Sequence, residues 1–159
     1  MASYFRQRRN VQLSLLYYLQ TCFTADWSDV TLVKAFKQVY AKDLSLPIVC
    51  VSSPSVDNPR LEIGSNTLDP KYLINIQVFA RSEAQRDDLA DYIVNKVKDG
   101  WVHYSHSHAS GDSSTLVRVA DGRDKTMDFI TDNPIEITDS SDPKDTYRHI
   151  ISIRVRKGS

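Results

Sequence analysis

The sequence has no long apolar run and little cysteine, and each shortage excludes a class of protein. No stretch of the 159 residues approaches the roughly 20 apolar residues that a membrane-spanning helix needs. The first ten residues lack the apolar segment of a secretory signal peptide. Cys22 and Cys50 each have apolar neighbours, which predicts two reduced core thiols rather than a disulfide. We therefore expect a chain that is made and kept in the cytosol.

Glycine is scarce and charge is balanced, which excludes further classes. The five glycines are isolated, and none belongs to a phosphate-binding loop or a nucleophile elbow. Twenty basic residues balance twenty acidic ones, so no net field draws the whole molecule to nucleic acid or to an anionic membrane. The adjacent carboxylates Asp87 and Asp88 fall on the polar side of a predicted helix. We expect no enzyme and no cofactor.

Three histidines form a cluster whose residue type would suit a metal site. On the predicted strand Trp101–His108, strict alternation places His106 and His108 on one face and His103 on the other. No Asp, Glu or Cys is placed to complete a tetrahedral set. The pattern therefore predicts that no metal is bound here.

The most strongly patterned part of the sequence lies in its middle. Lys71–Ala80 alternates apolar and polar residues, as a half-buried strand does. Ser82 then predicts a helix N-cap, with the Gln85 side chain reaching back to the backbone at Ser82 and Gly100 ending the helix as its C′ residue. Apolar residues recur at helical spacing at Leu89, Ala90, Ile93, Val94 and Val97. We expect this helix to lie across a sheet that contains the strand.

Weaker patterns predict the elements before this centre. One helix ends near Thr24, and its apolar face consists of Val11, Leu15, Tyr18, Leu19 and Cys22. A second helix is expected after Ser28, from the spacing of Val30, Val33, Phe36, Val39 and Tyr40. Ile48–Val51 is predicted to be a strand buried on both faces, and residues 52–59 a loop. Arg60–Ile63 is expected to pair with the central strand as a hairpin.

The later part of the chain predicts a succession of strands. They are expected at Trp101–His108, Thr115–Val119, near Ile135–Thr138 and from Tyr147 onwards, with a turn at Asp121–Asp124. Together the elements predict one α+β domain over residues 1–159, with a mixed, mainly antiparallel sheet and helices packed on one face. Residues 1–9 are interpreted as a flexible basic arm, and residues 103–144 as a loop-rich insertion.

Charge changes sign abruptly near the C-terminal end. Residues 121–145 hold eight acidic and three basic residues, whereas residues 146–159 hold four basic and no acidic ones. Two interpretations stay open, namely cross-strand pairs within one hairpin and contacts between subunits. The candidate intersubunit residues are Asp128, Asp132, Glu136, Asp139, Arg148, Arg154 and Arg156.

Four parts of the chain together resemble a known family. They are the N-terminal helix, the loop Asp57–Asn66, the strand Ile74–Ala80 and the start of the next helix at Arg86–Asp91. In order and spacing these resemble the tail terminator, or tail-completion, proteins of long-tailed bacteriophages. The resemblance covers residues 8–100. The later part of the chain matches the family only in being predicted to consist of strands.

The resemblance implies a virion protein that is assembled in the host cytoplasm and works without catalytic residues. Such a subunit forms a homohexameric ring on the last ring of the tail tube, ends tube growth and offers the joining surface for the neck or head-completion protein. DNA would pass through the lumen only as cargo. Two alternatives stay open at this point: another structural subunit of the same particle, such as a head-completion or tube protein, and a module that binds a host factor or single-stranded nucleic acid.

Overall fold

A computed structural model of the chain describes residues 7–41, 43–60, 63–64, 66–108, 116–135 and 142–158. In chain order the elements are α1 (Gln7–Asp26), β1 (Thr31–Val33), a 3₁₀ helix (Phe36–Tyr40), β2 (Ile48–Val51), β3 (Ser55–Asp57), β4 (Lys71–Ala80), α2 (Glu83–Val97), β5 (Trp101–His108), β6 (Leu116–Ile135), a second 3₁₀ helix (Pro143–Asp145) and β7 (Tyr147–Gly158).

The strands form one curled, mixed sheet, and this confirms the predicted α+β class. Its order is β1-β2-β4-β7-β6-β5, and β3 pairs with the start of β4. β1 and β2 are parallel, whereas the other pairs are antiparallel. Neither helix within the described ranges is long and apolar enough to cross a membrane.

The main core lies between the sheet and the two helices. Alternate residues of β4 and β7 meet in register on this face, for example Ile74 opposite Ile153 and Ile76 opposite Ile151. α2 contributes the apolar stripe that its sequence predicts, with Leu89, Ile93 and Val97 fully buried. α1 buries Val11, Leu15, Leu19 and Phe23 in the same cluster. The prediction of helices on one face of the sheet is therefore confirmed.

The opposite face has a smaller cluster beside β1 and β2. Ile48, Cys50 and Phe79 pack there against Val39 of the first 3₁₀ helix. Because this cluster covers one face of β2 and the main core covers the other, β2 is buried on both sides, as its continuous apolar run predicts. Cys50 is buried and Cys22 is half-buried, and both are free thiols.

The ends of α2 depart slightly from the predicted pattern. Ser82 caps the helix by accepting a hydrogen bond from the backbone N–H of Gln85 at 3.1 Å. The Gln85 side chain accepts from the N–H of Arg81 at 2.8 Å, one residue earlier than expected. The C-cap is Lys98, so Gly100 lies beyond the C′ position, with a φ of 81°. A glycine is needed there because an added Cβ would lie 2.2 Å from the carbonyl oxygen of Asp124.

Polar side chains of α1 join it to both sides of the curled sheet. Ser14 accepts from the N–H of Tyr104 at 2.8 Å, and Asn10 accepts from the N–H of His106 at 3.1 Å. On the other side, the Gln12 amide donates to the carbonyl oxygen of Val51 at 3.0 Å. The helix therefore supplies hydrogen bonds to edge strand β5 that a further strand would otherwise supply.

Two predictions in the first half of the chain are wrong, and a third falls partly outside the described residues. Residues after Ser28 form β1 and a 3₁₀ helix rather than an α-helix, since Thr31 and Val33 are β-branched and pair with β2. Residues 52–59 contain the short strand β3, which pairs with the start of β4. Arg60 forms an isolated bridge to Leu68, while Leu61 and Glu62, which belong to the expected hairpin strand, lie outside the described residues.

The second half of the chain contains more strand than expected. β6 runs straight through the turn expected at Asp121–Asp124, with Gly122 at a φ of 83° beside an irregular step in the pairing. Where residues 103–144 are described, they are mainly strand rather than loop. Residues 7–9, expected to belong to a basic arm, form the first turn of α1, while residues 1–6 lie outside the described part.

The buried face of α2 gives a direct test of the fold. We expect Ile93→Asp to yield no folded soluble protein, because an unpaired buried carboxylate costs several kcal/mol, which is comparable to the total stability. The matched control is Asn95→Asp, an exposed position on the same helix, which should keep the wild-type melting temperature within about 2 °C. Circular dichroism and thermal unfolding measure both. A native melting curve for Ile93→Asp would contradict the assigned core.

Candidate interaction surface

β6 pairs with two different strands along its length and leaves part of each edge uncovered. Residues 116–124 pair with β5, and residues 123–135 pair with β7. Within the described residues, the edge of β6 that pairs with β5 therefore has no partner strand after Asp124. The N–H and C=O groups of such an edge can pair with another chain.

The same strand exposes apolar side chains. The register of β6 with β7 skips Met127 and Ile130, which are therefore the extra residues of two bulges. Met127 is 46% exposed and Ile130 is 48% exposed. Val117 and Val119, on the half that pairs with β5, are also exposed. An edge that combines unpaired backbone with exposed apolar residues is typical of a protein-protein contact.

The carboxylates along β6 have basic partners within the same chain. Asp128 lies 3.2 Å from Arg154, its neighbour across the β6–β7 ladder. Asp132 lies 2.5 Å from the His149 ring. The structure therefore places at least these two cross-strand pairs inside one hairpin, which is one of the two interpretations of the sign change. The Asp128–Arg154 pair is about half exposed, so it contributes only about 0–1 kcal/mol to the stability of the monomer.

The remaining candidate contact residues have different surroundings. Arg156 is about half exposed and lies 3.0 Å from Asp69. Arg148 was expected on a basic face, but it is buried: it donates to Gln77 at 2.6 Å, and its guanidinium lies 4.8 Å from the Phe79 ring centre. The reason is the register, which pairs Arg148 with Phe79 beneath the first 3₁₀ helix. Glu136 and Asp139 lie outside the described residues.

Asp145, in the second 3₁₀ helix, contacts both Tyr40 of the first 3₁₀ helix and Arg148. Its carboxylate accepts a hydrogen bond from the Tyr40 hydroxyl at 2.6 Å and lies 3.6 Å from Arg148. Burial and the bond to Asp145 raise the pKa of Tyr40 to about 12. Arg148 is thus held in place from several directions and stabilises the monomer rather than a free surface.

A buried polar cluster lies where β5 meets β6. The carboxylate of Asp124, fully buried, accepts from the indole N–H of Trp101 at 3.1 Å and lies 2.9 Å from Nδ1 of His103. Trp101 and Asp124 are direct partners in the β5–β6 register, which explains the contact. Burial raises the pKa of the Asp124 carboxyl, against the opposing effects of His103 and Trp101. Because all three side chains are buried and connected, the cluster stabilises the junction of β5 and β6.

The histidines do not form a common ligand set in the described part of the chain. His103 is bound to Asp124, whereas His106 has no hydrogen-bond partner on either ring nitrogen. Strict alternation predicted opposite faces for these two, yet β5 buries both. The side chain of His108 lies outside the described residues. Across the described ranges, no group of three or more His, Cys, Asp or Glu side chains could hold a metal ion.

Comparison with known proteins assigns no family to this chain. No protein-family model matches it, and no curated protein matches it significantly.

The Asp124 cluster predicts a clear difference between two substitutions. Asp124→Leu leaves the Trp101 N–H and His103 without a partner, so we expect a loss of roughly 2–5 kcal/mol in the free energy of unfolding. Asp124→Asn keeps acceptor and donor groups in nearly the same shape and should cost less than half as much. Asp128→Asn, on the exposed part of the same strand, is the control. Urea unfolding measures the free energy of unfolding of each variant. Equal losses for Asp124→Leu and Asp124→Asn would contradict the hydrogen-bonding role of Asp124.

The raised pKa of Asp124 adds a dependence on pH. A carboxyl whose pKa is higher in the folded than in the unfolded state favours folding most at low pH, and this contribution is lost as pH rises through the folded pKa. The stability of Asp124→Asn relative to wild type should therefore improve as pH rises from the usual Asp range towards neutrality. Urea unfolding at several pH values measures this. A constant or opposite trend would show that desolvation does not dominate at this carboxyl.

Proposed function

We propose that this chain is a structural subunit of a long-tailed bacteriophage particle that assembles into a closed ring at the head end of the tail. The ring caps the tail tube, ends its polymerisation and presents a joining surface to the neck or head-completion protein. Six copies form the ring in the family that residues 8–100 resemble. The virion is its place of action.

The observation that carries this proposal is the uncovered edge of β6 with its exposed apolar residues. An edge strand can add to the sheet of another chain, and Met127 and Ile130 are exposed apolar residues of this same strand. Fully burying one such side chain contributes about 1.5–3 kcal/mol. Contacts between copies would therefore bury an apolar surface that would promote aggregation of a monomer.

Charge and symmetry support assembly of many copies. The formal net charge of zero limits repulsion among them. A β6 edge that meets a different surface of the next copy makes a head-to-tail contact, and such contacts close into a ring when the rotation between copies allows it. If the rotation does not close, the same surface produces a long polymer, as a tube subunit would. This is the alternative function that the same observation admits.

Three of the four parts on which the family resemblance rests are formed in the expected order, while the loop Asp57–Asn66 is only partly described. α1, β4 and α2 follow one another with the predicted helix face packed on the sheet. The exposed aspartates of β6, namely Asp121, Asp128 and Asp132, belong to ion pairs, and the carboxylate of Asp124 is fully buried. A scaffolding role fits these properties better than an enzymatic one.

Mass and imaging of the purified protein test the ring. We expect native mass spectrometry and negative-stain electron microscopy to find a closed ring with a central hole. The double variant Met127→Asp/Ile130→Asp should be monomeric, because two carboxylates would be buried against an apolar partner. Ile63→Asp, at a fully exposed position on the loop before β4, is the control and should keep the ring.

Other outcomes of this experiment are equally informative. A long polymer of the wild type would replace the ring proposal by a tube subunit, and a wild-type monomer at all concentrations would contradict both. Addition of the ring to polymerising tail tube protein should shorten the tubes. Tube length unaffected by stoichiometric ring would contradict the capping role.

A charge swap separates the two interpretations of the Asp128–Arg154 pair. Arg154→Asp alone should weaken a ring that depends on this arginine. Mixing equal amounts of Arg154→Asp copies and Asp128→Arg copies leaves the pair broken inside every copy but restores it between unlike copies, so a ring held by this pair between copies should recover, most clearly at low salt. No recovery of the ring mass in the mixture would assign the pair to the monomer alone. Unfolding curves of each variant control for monomer stability.

A further inference from the structure

A cleft of about 670 Å³ opens where α1, the end of α2 and β5 meet. This volume lies within the range of small-molecule sites. None of the described residues that line the cleft lies on the β6 edge after Asp124. The cleft is therefore separate from the surface that carries the proposed ring.

Two tyrosine rings form an aromatic corner in this cleft. Tyr17 on α1 and Tyr104 on β5 lie with their ring centres 5.4 Å apart and their planes at 85°. Tyr17 is 41% exposed, and Tyr104 is half-buried. A flat ring that stacks on one of them would meet the other edge-on, and both arrangements are favourable for aromatic pairs. The corner therefore suits a planar ring of a ligand.

Cationic side chains at the same cleft lack carboxylate partners. Lys98 is exposed and forms no ion pair within the described ranges. Arg123 donates to the carbonyl oxygen of Asp99 at 3.4 Å, and no carboxylate of the described chain pairs with it. Among the described lining residues, Lys96, Lys98 and Arg123 stand against a single carboxylate, that of Asp99. The excess of positive charge favours an anionic ligand.

The C-terminal end of α2 also borders the cleft, and its carbonyl groups oppose an anion. Two of these carbonyl groups already accept hydrogen bonds from other elements. The Tyr18 hydroxyl donates to the carbonyl oxygen of Lys96 at 2.8 Å, and the Thr126 hydroxyl donates to that of Val97 at 2.6 Å. These bonds reduce the negative charge of the helix end, so the cationic side chains dominate.

Polar side chains of the cleft can contact the edge of a planar ring. Asn95 is exposed, and its amide makes no hydrogen bond in the described part of the chain. The Thr21 hydroxyl donates to the carbonyl oxygen of Tyr17 at 3.0 Å, and its oxygen can still accept. An amide offers both donors and an acceptor, as the polar edge of a nucleobase requires. A ligand that uses all of these groups has a flat ring with a polar edge and an anionic group.

We propose that this cleft binds a nucleotide, with its base against Tyr17 and Tyr104 and its phosphate at Lys98 and Arg123. Proteins that hold single-stranded nucleic acid combine aromatic stacking with cations in this way. Two sources share the chemistry: a free mononucleotide, and one nucleotide of a single-stranded chain. Because the net charge of the whole chain is zero, the attraction is local to the cleft. The proposal does not depend on ring assembly.

Titration of the full chain with thymidine 5′-monophosphate tests the cleft. We expect saturable binding by calorimetry. Thymidine lacks the phosphate and phenyl phosphate lacks the polar edge of a base, so each should bind at least tenfold more weakly. No saturable binding up to roughly 10 mM, or equal binding of either analogue, would overturn the proposal.

Substitutions test the ring and the cations separately. Tyr17→Leu should weaken binding of the monophosphate about tenfold because it removes a stacking partner. Arg123→Gln and Lys98→Gln should each weaken it by about threefold to tenfold and reduce its dependence on salt. The matched controls are Phe36→Leu, an exposed aromatic residue outside the cleft, and Arg81→Gln, an exposed arginine at the other end of α2.

Both controls should bind the monophosphate as the wild type does, and thermal unfolding checks that every variant is folded. Wild-type affinity in the folded Tyr17→Leu variant would overturn the assigned base contact. Wild-type affinity in both cation variants would overturn the assigned phosphate contact.

An oligonucleotide distinguishes the two sources of the nucleotide. The single-stranded octamer of thymidylate presents the same base and phosphate as part of a chain. Binding of the octamer more than tenfold tighter than that of the monophosphate supports a single-stranded partner, and any smaller difference supports a free nucleotide. Because nucleotide binding and ring mass are measured separately, failure of one proposal leaves the other intact.

Discussion

The antiparallel pairing of β4 with β7 is the contact on which the rest of the structure depends. It joins the middle of the chain to its C-terminal end over nine residue pairs, from Tyr72 opposite Val155 to Ala80 opposite Tyr147. One face of this ladder carries the isoleucines and valines that α1 and α2 cover. The other face carries Phe79 opposite Arg148, so the register that builds the core also buries an arginine on the reverse side.

Two polar arrangements on the last strands have different physical consequences. The Trp101–His103–Asp124 cluster is fully buried and connected, so it fixes how β5 meets β6. The Asp128–Arg154 pair is half exposed and contributes little to the monomer, but it neutralises a carboxylate beside Met127 and Ile130. A locally neutral, apolar edge of this kind suits contact with another copy, and this links the position of β6 in the sheet to the proposed ring.

α1 satisfies backbone groups on two sides of the curled sheet. Ser14 and Asn10 satisfy backbone groups of β5, while Gln12 bonds to β2 on the opposite side. A cavity bordered by Leu13 and Leu16 lies between this helix, β1 and β5.

Periodicity in the sequence determined β4, α2, β7, the buried strand β2 and the α+β class, because each has a long or unbroken pattern that only one type of element satisfies. It failed after Ser28, because the three-residue spacing of Val30, Val33, Phe36 and Val39 fits a 3₁₀ helix as well as an α-helix, and the β-branched Thr31 and Val33 favour a strand. It also failed at Gly122, since a glycine in a polar segment indicates a turn and a bulge equally. The partners of Arg148 and Asp124 and the burial of His106 were decided by the tertiary structure alone. Strand register and bulges set which side chains meet, and they depend on contacts far apart in the chain.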